Sequence, residues 1–320
     1  MAAKRESQEF RHEAFFYADD AEFSAGVASF IRDGLAAGEP TMVILPQEKS
    51  ALVQAELGGG RPGVWFADMR EVGHNPARII PAWHDFVDEH LGRGVGLRGI
   101  GEPIGPGLAA DVLVECHNHE ALLNLAFPDL LDFWLLCPYD SGSLPVEVLD
   151  QARRNHPRIL ENGGAHGSPS YHHLPPMGEL PGDPLPDPPA SAVEVRFDAG
   201  CLTTVRSLVA DRARDTGLSA DREADLVLSV NEIAANSIQY GGGSGVLHMW
   251  QEPSALICDI RDDGVITDPL VGRLAPGTSP ESSRGLWVVN QLCDLVQVRS
   301  SVAGTIVRLH MALSRRRSRF

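Results

Sequence analysis

The sequence predicts two α/β domains in tandem: a three-layer domain on a mainly parallel sheet, then a two-layer α/β sandwich. Three observations lead there. Residues 10–160 alternate short apolar runs with longer amphipathic ones. Residues 163–190, GGAHGSPSYHHLPPMGELPGDPLPDPPA, are crowded with Pro, Gly and Ser and follow neither the helical nor the strand period. From residue 191 onward, helices and strands come in runs rather than in alternation.

In the first part, EAFFY at 13–17 reads as a strand, 20–37 as a helix, TMVIL at 41–45 as a strand and 47–56 as a helix. The pattern continues with a strand GVWFAD at 63–68, a helix over 76–91, a strand GVGLRGIG at 94–101, a helix over 111–126 and a strand DFWLLCPYD at 132–140. Repeated alternation of this kind calls for a parallel sheet with helices on both faces. No GxxxxGK[ST] phosphate loop occurs, and neither lysine, Lys4 or Lys49, follows a glycine-rich turn, so phosphate chemistry is not expected here. Cys116, His117, His119 and Glu120 are metal-ligand types, but on one helix positions 116, 117 and 119 do not converge on a single ion. Core or capping roles are expected for them.

The 163–190 segment lacks the apolar surface to offset the entropy of ordering it and reads as an interdomain linker. Its adjacent His172 and His173 have no Cys or carboxylate neighbours at ligand spacing.

Beyond it, VEVRFD at 193–198 is a strand, 201–216 a helix, and a long second helix runs to 240 with Ser219 as N-cap. Two strands (GVLHMW, ALICDIRDD), a loop over 266–283, a helix from 285 and a closing pair of strands (VQVRS, TIVRLHM) complete the domain at about 312, and a basic tail follows over 313–320. On the long helix Glu232 and Asn236 are four residues apart and share a face within an apolar stretch. Buried polar groups need partners. An amide oxygen can ligate a hard cation and a carboxylate can take a proton from an attacking hydroxyl, so the pair suits a Mg-nucleotide. Asp262, Asp263 and Gly264 then form a strand-to-turn junction where a carboxylate can accept from an exocyclic amine beside a glycine that admits a close approach. Ser282, Ser283, Arg284 and Gly285 lead into a helix whose first N–H groups suit phosphate, and Gly304 and Thr305 open the last strand.

Four such signals in this order resemble the GHKL, or histidine-kinase-like, ATPase fold: an N box VNEIAANSIQYG, glycine boxes DIRDDGV and SSRGLWVV, and a final GT. The resemblance implies ATP and Mg2+ as cofactors. By position, Glu232 would be the general base and Asn236 the Mg2+ ligand. Asp262 would hold the adenine amino group with Gly264 near the base, Arg284, Gly285 and Leu286 would line the phosphates, and Thr305 would help fix Asp262 and the adenine through water. The chain departs from the pattern at Ile266, where a second glycine is usual, at Ser283, in place of a glycine, and at Tyr240, in place of a common histidine. Residues 10–160 resemble the MEDS sensory domain, a RecA-like module without a phosphate loop, through HEAFFY, GLAAGE, GEP, EALLNLAF and LCPYD in that order. That resemblance implies signal input.

The position just before the ATPase-like part, where a sensor histidine kinase carries a dimerising helical hairpin with its phosphoacceptor histidine, is occupied by the proline-rich linker, which argues against a conventional sensor histidine kinase. The compact domain instead resembles the anti-sigma-factor serine kinases. The resemblance implies a serine/threonine kinase that sequesters a sigma factor and phosphorylates a STAS-type anti-anti-sigma partner, and a homodimer is the family expectation. The alternative is a non-catalytic module whose nucleotide sets its affinity for a sigma factor or other partner; the altered glycine boxes favour it. A net charge of −16 argues against binding nucleic acid. Apolar runs stop well short of the roughly 20 residues a membrane helix needs, and no leader-like apolar stretch follows Arg5 and Glu6, so a cytoplasmic location is expected. Five widely spaced cysteines are expected to be reduced thiols in the core.

Overall fold

The computed structural model describes residues 10–90, 92, 94–127, 132–174, 180, 182–276 and 284–313. The chain forms two compact units, Met1–Pro175 and Pro176–Phe320.

In the first unit, β1 (Arg11–Tyr17), β2 (Thr41–Leu45), β3 (Val64–Asp68), β4 (Leu97–Gly101), β5 (Phe133–Asp140), β6 (Arg158–Glu161) and β7 (Gly164–Gly167) form one sheet in the order β3-β2-β4-β5-β1-β6-β7. All neighbours are parallel except β6 and β7, which form an antiparallel hairpin. Between the strands run α1 (Asp20–Ala37), α2 (Gln47–Leu57), α3 (Met69–Val72), a 3-10 turn (Pro76–Arg78), α4 (Ile79–His90), α5 (Ala110–Ala126) and α6 (Val146–Asn155). Helix α1 starts where Asp19 accepts from the Glu22 N–H, and stops at Gly38, whose φ of 74° suits a residue without Cβ.

The period of two along the strands sorts the core. Phe15 and Tyr17 of β1, with Leu136 of β5, pack with Phe23, Val27 and Ile31 of α1 on one side. On the other side Trp83 of α4, 1 % exposed, lies so close to β4 that a Cβ at Gly99 would sit 3.0 Å from its ring. Glycines in LRGIG therefore make room for the indole, whose burial contributes about 2–3 kcal/mol. His12 and Phe16 of β1, and Cys137 and Tyr139 of β5, are buried on this same second side.

The second unit is a five-stranded antiparallel sheet in the order β11-β12-β10-β9-β8, from β8 (Val193–Asp198), β9 (Ser244–Gln251), β10 (Ala255–Asp262), β11 (Leu295–Ser301) and β12 (Gly304–Ala312). Helices α7 (Leu202–Asp215), α8 (Ala220–Tyr240) and α9 (Arg284–Leu292) contribute Val205, Val209, Leu226, Val230, Ile233, Leu286 and Val289 to a core shared with Leu256, Cys258 and Ile260 of β10 and with Val307 and Leu309 of β12. Both expected layers are present.

Two departures from the sequence reading concern segments near the boundary. Helix α6 and the β6–β7 hairpin extend the first sheet past residue 140, and β7 uses Gly164–Gly167, which had read as linker. Farther on, the backbone carbonyls of Asp183 and Pro186 accept from Arg299 and Arg308, and Asp187 pairs with Arg261, so this stretch lies on the helix-free face of the second sheet. It stays there because that face carries charge: Asp259, fully buried, accepts from Arg261 at 2.7 Å and from Arg308 at 2.8 and 2.9 Å, and the carbonyls of Asp183 and Pro186 take one further donor each from Arg299 and Arg308. A proline-rich segment without ladder pairing has carbonyls to offer, and Arg299 and Arg308 take two of them.

Candidate functional site

Helix α8 is the frame. Ser219 caps its first turn, and Leu226, Val230, Ile233, Ala234 and Ser237 form a buried stripe at helical spacing. A serine in such a stripe needs a partner. Ser237 Oγ donates to Asp262 Oδ2 at 2.6 Å, and the Gly264 N–H donates to Asp262 Oδ1 at 2.8 Å, which orients the carboxylate while leaving each oxygen able to accept again.

The turn after β10 is tied down from the other side. Thr305 Oγ1 donates to the Gly264 carbonyl at 2.8 Å and lies 2.7 Å from Ser300 Oγ, which accepts from the Ile266 N–H at 2.8 Å. Because the one Thr305 proton goes to Gly264, Ser300 is the donor between the hydroxyls. Thr305 is also Asp262's partner across the β10–β12 ladder.

Close backbone contacts explain the glycines. A Cβ at Gly241 would lie 2.4 Å from Asp262 Cγ, one at Gly264 would lie 2.9 Å from the Gly241 Cα, and Gly304 combines a φ of 120° with a Cβ position 2.4 Å from the Asp262 carbonyl oxygen. At Gly285, on α9, a Cβ would stand 3.0 Å from Glu232 Oε2 and 3.3 Å from Asn236 Nδ2. This contact brings the start of α9 against the Glu232 and Asn236 face of α8.

Between these elements lies a cavity of about 400 Å³, within the range of small-molecule sites. Of the residues singled out in sequence, Asn236, Asp262, Gly264, Arg284, Gly285, Leu286 and Thr305 all line it. Glu232 does not line it but stands one contact away, beside Gly285. Ile233, Val271 and Val307 give it apolar walls, and Tyr240, Val265 and Ile266 add apolar surface. The cavity combines apolar walls with one oriented carboxylate, and Asn236 and Arg284 add polar groups to its lining. Ser282 and Ser283 lie outside the described residues, as does the basic tail beyond Leu313. Sequence reasoning missed Ser237, Gly241 and Ser300. The first two were detectable: both continue the buried stripe of α8, where neither a hydroxyl nor a glycine belongs without cause.

Beneath the site, Cys258 and Cys293 are fully buried, and burial pushes both thiols up, Cys293 to about 12. None of the five cysteines forms a disulfide. In the first unit Cys116 donates to the Pro103 carbonyl, while Glu120 turns to a different group of partners taken up below.

Residues 11–157 match the family model of the MEDS domain, described as the methanogen/methylotroph, DcmR sensory domain, and residues 195–311 match that of the histidine kinase-like ATPase domain. The chain is a MEDS domain followed by a histidine kinase-like ATPase domain. No curated protein matches it. Among solved structures, the RsbU and RsbW domains of Rv1364c from Mycobacterium tuberculosis are similar at 18% identity and a TM-score of 0.31, over 40% of this chain and 34% of that one. This chain thus spans about a third of that solved chain. The ATPase domain belongs to a nucleotide-binding fold, and the cavity lies within its matched residues. No helix among the described residues is long and apolar enough to cross a membrane.

Proposed function

We propose that the cavity binds Mg-ATP and that the chain is an anti-sigma regulatory factor, a serine/threonine kinase acting on a STAS-type anti-anti-sigma partner under the influence of its MEDS domain. The observation that carries the reading is the oriented carboxylate of Asp262, held by Ser237 and Gly264 in the lining of a cavity that Asn236 of α8 also lines. Asp262 accepts from the adenine amine and Gly264 lies against the base. Asn236 ligates Mg2+ through its amide oxygen, and Arg284, Gly285 and Leu286 border the phosphates. Glu232, set just outside the cavity, receives the proton of the partner's hydroxyl as it attacks the γ-phosphorus and the bond to the bridging oxygen of ADP breaks. Transfer of this type rests on positioning and charge neutralisation more than on covalent chemistry.

Support for the anti-sigma assignment comes from the N-box sequence VNEIAANS and from the proline-rich linker that occupies the position of a phosphoacceptor hairpin just before the domain. A second reading, a nucleotide-gated module that sequesters its partner without phosphotransfer, is favoured by one observation: Ile266 stands in the first glycine box and its N–H is bonded to Ser300, which restrains the turn there. Transfer of labelled phosphate from ATP to a STAS protein separates the two. The kinase reading expects transfer that Glu232→Ala abolishes while Mg-ATP affinity changes little; binding without transfer in the wild type leaves the gated module, and no Mg-ATP binding by calorimetry overturns both.

A further inference from the structure

His12 on β1, Glu120 on α5, Cys137 on β5 and His156, which caps α6, converge on the face of the first sheet covered by α5 and α6. Each is at most 1 % exposed, and one ligand atom from each lies within 4.8 Å of all the others. His12 Nε2 is 3.1 Å from Glu120 Oε2 and 3.4 Å from Cys137 Sγ, and His156 Nε2 is 3.2 Å from the same carboxylate oxygen.

The protons can be assigned from the surrounding hydrogen bonds. Asn124 directs its Nδ2 toward the carbonyls of Glu120, Ala121 and Asn155, so its Oδ1 is the atom facing His12 Nδ1 at 3.1 Å, and His12 Nδ1 is a donor. His156 Nδ1 lies 2.8 Å from the Ala152 carbonyl and is likewise a donor. In the neutral rings both Nε2 atoms therefore present lone pairs, and both present them to Glu120 Oε2. Glu120 Oε1 and His156 Nε2 have no hydrogen-bond donor among the described residues. The Cys137 S–H can donate to His12 Nε2 at 3.4 Å, but His156 Nε2 then still sets a lone pair 3.2 Å from a carboxylate oxygen in a dry interior, an arrangement that costs free energy.

A divalent cation relieves all four at once. Tetrahedral coordination with Zn–N and Zn–O near 2.0 Å and Zn–S near 2.3 Å places ligand atoms about 3.3 Å apart, or about 3.5 Å where one is sulfur; the His12–Glu120, His156–Glu120 and His12–Cys137 separations of 3.1, 3.2 and 3.4 Å are already close to this, and the remaining pairs lie within 4.8 Å. Both histidines carry the support that metal-bound imidazoles need, the remote N–H held by a carbonyl-type oxygen. Charge balances as well: a carboxylate and a thiolate neutralise a dication, which suits burial.

We propose that His12, Glu120, Cys137 and His156 form a closed tetrahedral site for one zinc-class divalent ion. Binding deprotonates the Cys137 thiol, the proton leaves to solvent, and the metal–sulfur bond takes its place. With four protein ligands the site has no open position for substrate and ties β1, α5, β5 and the end of α6 together across the MEDS domain, independently of the nucleotide cavity.

The test uses the full-length protein purified after growth with added zinc. About one zinc per chain should survive dialysis against a weak chelator, and Co2+ exchanged into it should give the near-ultraviolet thiolate charge-transfer band with the strong visible bands of a tetrahedral ion. Cys137→Ala should remove the charge-transfer band, while Cys258→Ala, in the other unit, should keep it. Folded wild type that holds less than a tenth of an equivalent of zinc and shows no Co2+ thiolate band overturns the proposal, as does a band that persists in Cys137→Ala. Should Cys137→Ala fail to fold, the wild-type stoichiometry and spectrum decide alone.

Discussion

Ser237→Ala isolates the contact that orients the candidate adenine anchor. The substitution deletes the 2.6 Å bond to Asp262 Oδ2 and leaves the Gly264 N–H as that carboxylate's one hydrogen-bond donor among the described residues. A hydrogen bond to a charged group is worth about 1.5–3 kcal/mol net. Asp262 is half-buried, so the freed oxygen regains some water, and alanine suits the helix better than serine by a few tenths of a kcal/mol. The stability loss should therefore be about 1–2 kcal/mol. Affinity responds differently, because the bond is present before and after the ligand binds. What binding must supply in the variant is the cost of immobilising one side chain, about 0.5–1.5 kcal/mol, or roughly a 2- to 12-fold weaker Kd for Mg-ATP. Calorimetry on the full chain measures it, with inosine triphosphate as control, since a base without the exocyclic amine makes no call on Asp262. An unchanged Kd for ATP in a folded variant, or an equal loss for both nucleotides, would refute the argument that Ser237 acts by orienting Asp262.

Gly241→Ala keeps a φ of −100° that alanine accepts but sets a Cβ 2.4 Å from Asp262 Cγ and 2.6 Å from the Ser237 carbonyl oxygen, so both the carboxylate and the last turn of α8 must give; Mg-ATP affinity should fall tenfold or more while the chain still folds. Gly285→Ala places a methyl 3.0 Å from Glu232 Oε2, and phosphotransfer to a STAS partner should drop more than nucleotide affinity does, which single-turnover assays and calorimetry together will separate. Cys293 has its pKa raised from 9.0 to about 12, and Cys258 is raised too. The folded state keeps thiol protons that the unfolded chain sheds, so this stability is fully present below pH 9 and is lost as pH rises toward 12. The slope is at most about 1.4 kcal/mol per pH unit for each thiol. Urea midpoints between pH 8 and 10 should fall less steeply in Cys293→Ala.

Most of the fold was legible because most elements carry their own boundary chemistry. Helix α1 begins at an Asp cap and ends at Gly38, α8 begins at Ser219, and TMVIL and VEVRFD occupy the spans read for them. The reading failed after residue 140. Val148, Leu149 and Ala152 give α6 a short apolar stripe, but the strands that follow are four residues each, and β7 is GAHG, with no apolar side to bury. Its order comes from backbone pairing with β6, and no side-chain pattern announces that. The stretch near 183–187 escaped for a related reason: what holds it is the charge on Arg299, Arg308 and Asp187, far away in sequence or invisible in composition.

The two sites differ in legibility by where their partners lie along the chain. Both rest on a polar side chain at the apolar face of a strand, Asp262 on β10 and His12 on β1, and each needs a partner there. For Asp262 the partners are Ser237 and Gly264, within 25 residues; Gly264 was read with Asp262, and Ser237 lay inside the N box beside it although no role was read for it. For His12 they are Glu120 and Cys137, 108 and 125 residues on, across a parallel sheet whose crossovers separate neighbours in space by whole βαβ units. Reading Glu120 against its helical neighbours Cys116, His117 and His119 asked whether one helix closes a ligand set, when in a parallel-sheet domain the set is closed by adjacent strands and the helix that crosses them. A metal-ligand residue on a buried helix stripe should therefore be weighed against the core-facing positions of the strands that flank it in the sheet, and here that search returns His12 and Cys137 on adjacent, hydrogen-bonded strands.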